Sequence, residues 1–311
     1  MATGLVHFDD PCFSWTESVA EAVSENTNRL VRWRGIDIVQ KPTGWTPRDP
    51  KEDLRQLSSP LFLPEDQADT IRDAQARSQA GLPAQDWPNL VRATAHMTSQ
   101  AAGLSSPEPD NIGGIWEAEA YLDTGLADVW TQERLAKVWP KTESGKFLPA
   151  HDLPDFTFSG RDPAAASAAR ALLTEVVRQQ GGTPARSEDF AALSDWMLSV
   201  KADQRWPEVI ALLPGTDELS EGERWRAVGA LRRDFSAAVE QGKPELAADS
   251  VRTVAEKVDP LLRRLTQDPA LTPLSPGRTQ DSAGASVRPQ RPGGHDVRRN
   301  PRSDRGSDGR R

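Results

Sequence analysis

The sequence predicts a mainly α-helical body with a small β element near residues 31–39 and a disordered C-terminal arm. Apolar residues recur at three- and four-residue spacing through most of 17–265, which is the helical period. Period-two alternation is convincing only once, in LVRWRGIDIV (30–39). The last aromatic is Phe235, and 266–311 read as an Arg/Pro/Gly-rich tail unable to bury a core.

Taken in order, Thr16 suits an N-cap with Glu17 in the first turn. Val19, Ala20, Val23, Leu30 and Val31 then give an amphipathic helix over about 17–28. In the strand, Val31 and Trp33 alternate with Arg32 and Arg34, Ile36 and Ile38 flank Asp37, and Gly35 marks a bulge or bend. Pro42, Gly44, Pro47 and Pro50 end it, and 42–63 reads as an irregular connection. Pro64, Glu65 and Asp66 start a polar surface helix over 65–80. Asp86-Trp87-Pro88 starts another, to about Ala102, with Leu90, Val91, Met97 and Ala101 inward and Thr94 interrupting. Pro107, Pro109 and Gly113-Gly114 break the chain again.

The stretch Ile115–Trp139 predicts two helices divided near Thr124-Gly125 or Asp128. Residues 140–162 are broken by Pro140, Gly145, Pro149, Pro154 and Gly160, with DFTF (155–158) as a short strand. Asp162 caps an Ala-rich helix from Pro163 to Gly181-Gly182. Ser187 caps a helix with Phe190, Leu193, Met197 and Val200 on one face, and Trp206-Pro207 opens a short one to Leu213. Ser220 with Glu223 makes a capping box, followed by a buried face of Trp225, Val228, Leu231, Phe235 and Val239. Gly242 ends that helix and Pro244 starts the next, where Val251, Val254, Val258, Leu261 and Leu265 recur. The two should form an antiparallel hairpin. The expected organisation is a mixed, mostly helical region over 1–160, a helical domain over 162–265 and the tail over 266–311.

The net charge of −8 is unevenly spread: 271–311 carry nine Arg against four Asp, whereas 1–160 carry 14 basic and 24 acidic residues. A cationic arm on an anionic body suits a polyanionic partner, nucleic acid above all. Arg outnumbers Lys 30 to 8, the bias of GC-rich coding, which points to a bacterial source and supplies a second explanation of the tail. A single cysteine, Cys12, excludes an internal disulfide framework and fits a reducing, cytoplasmic setting. MATGLVHFDDPCFSW is not a secretory leader, and no run of apolar residues is long enough for a membrane span.

Motifs of catalysis are missing. There is no Gly-x-Ser-x-Gly elbow, P-loop or Gly-x-Gly-x-x-Gly, so no cofactor is expected. The four His (His7, His96, His151, His295) have no ligand-spaced partners, and His7-x-Asp9-Asp10 is the only dense cluster. Residues 130–161 follow the order of a winged helix-turn-helix unit: Thr131 capping Gln132–Trp139, a second helix over Glu143–Leu148, then a wing. Lys137, Lys141, Lys146 and Arg161 would meet phosphates and Ser144 would add a hydrogen bond. The second helix is barely a turn and a half and lacks base-reading side chains, so an ordinary helix–loop–strand connection is the better reading. Arg32-Trp33-Arg34 offers a stacking platform, or simply a half-buried strand. In the tail the phosphate candidates are Arg288, Arg291, Arg298, Arg299, Arg302, Arg305, Arg310 and Arg311.

The leading expectation is a non-enzymatic cytosolic interaction or regulatory protein working through protein–protein contacts, with Trp-rich surfaces and the 220–265 hairpin as contact candidates. One alternative is a nucleic-acid-associated accessory protein using the tail and 130–161. Another is an enzyme of unrecognised type built on His96, His151 or the Asp9/Asp10 pair.

Overall fold

The computed structural model describes residues 6–39, 59–77, 83–107, 117–148, 160–182 and 187–267. Its helices are α1 (Pro11–Thr27), α2 (Glu65–Ala76), α3 (Trp87–Leu104), α4 (Glu117–Val138), α5 (Ser144–Phe147), α6 (Pro163–Gln179), α7 (Ser187–Ser199), α8 (Arg205–Ala211), α9 (Glu221–Gln241) and α10 (Glu245–Gln267). Two strands, β1 (Trp33–Val39) and β2 (Ser59–Pro64), pair in parallel. The fold is mainly α with a small β element, as the periodicities imply. None of the described helices is long and apolar enough to cross a membrane.

A proline at the first helical position loses no hydrogen bond, and an aspartate just before it accepts the orphan N–H groups. That device starts α6, where Asp162 accepts from the Ala164 and Ala165 N–H groups at 3.0 Å. It also starts α1, where Asp10 accepts from the Cys12 N–H at 2.9 Å. Helix α1 therefore begins well before Thr16, which is fully buried in its middle and directs its hydroxyl at Met97 Sδ. Arg72 from α2 grips the same Asp10 carboxylate at 2.7 Å.

The strand pair carries a bulge between Trp33 and Ile36, and Gly35 sits there at φ 124°, a backbone shape costly for any other residue. Strand β2 corrects the expectation of irregular chain over 42–63 for its last residues, 59–63. Its Leu61 and Leu63 are buried while the prolines stand at the strand's ends, where a missing N–H costs little. The outer edge of β2 is closed by a side chain: the Gln100 amide accepts from the Phe62 N–H at 2.8 Å and donates to the Phe62 carbonyl at 2.6 Å. On the other edge, the Val6 N–H donates to the Ile36 carbonyl at 2.9 Å.

Helix α4 is one uninterrupted helix rather than two, and it lies at the centre, packed on α1, α3, α6, α7 and α9. The feature that reads as a break, Gly125, is a point of close approach. A Cβ there would stand 2.8 Å from the Ala165 carbonyl carbon and 2.9 Å from Ala169 Cβ of α6. Thr131 accordingly caps nothing; it is buried inside α4 and donates to the Ala127 carbonyl. One hydrophobic cluster runs from Cys12 to Val254, so residues before and after 160 share a core, in a unit spanning Met1–Asp268. Helices α9 and α10 pack on each other, and α10 also packs on α6. The connection over 42–58, the Gly113-Gly114 break, the DFTF strand, His151 and the tail beyond residue 267 lie outside the described residues.

A candidate interaction surface at the foot of the hairpin

The side chains proposed for phosphate contact do not converge. Lys137 is exposed near the end of α4, while Lys141 Nζ lies 2.8 Å from Glu25 and Lys146 Nζ 2.6 Å from Glu143. Ser144 is fully buried at the start of the single-turn α5, with its hydroxyl 2.5 Å from that of Thr94. Arg161 turns inward, its Nε donating to Ser99 Oγ at 3.1 Å. Of the strand triplet, Arg32 donates to the Ser106 carbonyl at 2.6 Å and the Trp33 ring lies 5.3 Å from that of Phe13. His7 pairs with Asp9 at 3.3 Å, whereas Asp10 is committed to Cys12 and Arg72. Among the described residues no three His, Cys, Asp or Glu side chains gather as a metal site. The arginines of 288–311 are outside the described residues.

Three of the buried carboxylates lie on α4. Glu119 pairs with Arg232 of α9 at 2.5 Å, and Asp123 with Arg205 of α8 at 2.5 Å. Arg205 has no exposed surface; it also donates to the Met197 carbonyl at 3.1 Å and to Ser106 Oγ at 2.9 Å. Asp128 is fully buried: Ser99 Oγ donates to one oxygen, and the Arg161 and Asp162 N–H groups donate to the other at 2.8 and 3.3 Å. Burial pushes the Asp128 carboxyl up, against the pull of Arg161 and these donors. Gly160, at φ 87°, brings the chain so close that a Cβ would meet Asp128 Oδ2 at 2.5 Å. Each of these carboxylates holds a neighbouring element in place.

An open cleft forms where α8, the turn at 216–218 and the first turns of α9 meet. Trp206 anchors α8 from below, fully buried with its ring edge-on to Phe235 at 5.2 Å. Thr216 is buried and its hydroxyl reaches the Ile210 and Leu213 carbonyls, each at 2.8 Å, which fixes the turn against α8. Ser220 then caps α9 through the reciprocal box with Glu223, whose carboxyl is held below its usual range by the Ser220 hydroxyl and N–H. Between these pieces about 300 Å³ stays open, floored by Val228, walled by Pro207, Ile210 and Ala211, and bordered by Glu208, Asp217, Glu221 and Arg224.

Trp225 stands on that cleft and is 55% exposed. This corrects the sequence reading, which counted it in the buried stripe of α9. The residues that follow at the same spacing, Val228, Leu231, Phe235 and Val239, are buried as expected. The stripe outruns its cover early in α9, where among the described residues α8 and the 216–218 turn stand beside it. The cleft itself had no sequence signal, because Pro207 and Thr216 approach Trp225 only through tertiary packing. Comparison with protein-family models, curated proteins and solved structures found no match to this chain.

Proposed function

We propose that this chain is a non-enzymatic interaction or regulatory protein of the cytoplasm that docks a partner protein through the Trp225 cleft. The observation carrying the reading is a large amphipathic ring left 55% exposed beside an apolar floor. Tryptophan on a concave surface is the side chain that most often dominates a protein–protein contact, because it buries much area at small entropic cost. The interior ion pairs support the same reading, since among the described residues the buried carboxylates are engaged with neighbouring elements of the chain. The test compares full-length chain with Trp225→Ala, both immobilised in native lysate, and identifies the retained proteins by mass spectrometry. A protein that is held by the first and lost by the second, and that binds again when both are purified, is the expected result. Identical retention by the two would overturn it.

The nine arginines of 271–311 favour a second reading, nucleic-acid association. It requires that binding of a labelled duplex fall steeply with salt and disappear when the chain is cut after residue 266.

A further inference from the structure

The cleft's rim narrows the kind of partner. Its lining includes three carboxylates, Glu208, Asp217 and Glu221, and one cation, Arg224. That guanidinium is already turned to the chain, donating to the Asp217 carbonyl at 2.8 Å. Glu218 is exposed in the same turn, so negative charge surrounds an apolar floor and an open indole face. Such a site repels an acidic segment and draws in a basic one. We propose that the occupant is a basic segment of a partner protein carrying one aliphatic anchor. The anchor would fill the space between Ile210, Ala211 and Val228. A neighbouring Arg or Lys would lie over the Trp225 ring, with Glu208 or Glu221 within reach of its charge. A cation over an indole gains most where it sheds some water, as it does on a concave surface. This rests on the reading of the cleft as a docking site.

The two are separable by selection from a displayed random-peptide library on the full-length protein, with counter-selection on Trp225→Ala. Removing peptides that bind both proteins discards those held only by the general negative charge of the surface. The expected winners carry net positive charge and a Leu, Ile or Val, and bind Trp225→Ala about tenfold or more weakly. On a Glu208→Gln/Glu221→Gln variant they lose affinity several-fold and their salt dependence flattens. Both variants alter exposed or half-exposed side chains, and unchanged melting curves will confirm their fold. Trp225-dependent winners that are neutral or acidic would overturn the charge inference and leave the docking cleft standing. A library yielding no Trp225-dependent winner would overturn both.

Discussion

Helix α4 and the α9–α10 hairpin both bury apolar faces in the core, and α4 adds a row of buried carboxylates to its own. Across α4, beside buried Leu122, Leu126, Val129 and Trp130, the contacts include charged ones: Glu119, Asp123 and Asp128 reach Arg232, Arg205 and Arg161 on three separate segments. Farther along, Arg134 pairs with Asp195, and Glu133 lies 2.9 Å from Arg170. In the hairpin, Val228, Leu231, Phe235 and Ala238 of α9 are buried, as are Ala247, Val251 and Val254 of α10. Apolar area supplies the larger favourable free energy but tolerates small shifts. A buried ion pair contributes little net energy, yet each wrong placement leaves a charge without its partner. The difference teaches a division of labour within the core: apolar faces on both elements supply adhesion, and the carboxylates of α4 add a demand on which segment goes where.

The comparison breaks first at Arg205. Arg205→Met strands Asp123 in the interior and is expected to cost about 3–5 kcal/mol in urea denaturation. Adding Asp123→Leu should restore most of that, because the double variant has no charge to strand. A single variant costing less than about 1 kcal/mol would mean that α4 is not positioned by its charges.

A matched pair of glycines sharpens the contrast. Gly125→Ala pushes a methyl into the backbone of α6 and should cost about 1–3 kcal/mol. Gly229→Ala, in the middle of α9, meets nothing within 4 Å and should gain about 0.5–1 kcal/mol from helix propensity. Melting curves showing the same sign for both would contradict the packing described for α4.

The smallest effects are in the pH profile, where two aspartates act oppositely. For Asp10, burial pushes the carboxyl up, but Arg72 and the Cys12 N–H outweigh it and hold it below 3.8. Its contribution is therefore present above that pH and lost as pH falls through the lowered value. Asp128 is raised, so its stabilising effect is full below 3.8 and lost as pH rises through the raised value. Asp10→Asn should thus approach the unsubstituted protein in stability as pH falls below about 4, whereas Asp128→Asn should gain on it as pH rises from there. Parallel profiles for the two variants would refute this assignment.

Most helices were legible because apolar period and capping are local. Asp162-Pro163, Ser220 with Glu223, and the Val228–Val239 stripe each announce an element from a few neighbouring residues. The errors share a cause as well. Asp10-Pro11 is the same signal as Asp162-Pro163, but Thr16 competes with it, and only burial decides between two good caps. Gly125 and Asp128 look like helix breakers because their partners, Ala165 and Arg161, are distant in sequence. Trp225 lies on the apolar stripe, and nothing local tells that its cover ends. The hairpin was expected as a contact region, but its cleft depends on α8 and could not be read from spacing.

The Gln100 amide on Phe62 has a consequence for how this molecule meets others. An open strand edge is a row of unanswered donors and acceptors, ready to be lengthened by any extended chain that comes alongside. Here one glutamine stands in for the next strand, answering both main-chain groups of Phe62. The sheet is thereby terminated rather than merely short, and recruitment by strand addition is closed at that edge. Gln100 does this from within α3, so the helix that packs on β2 also seals its edge.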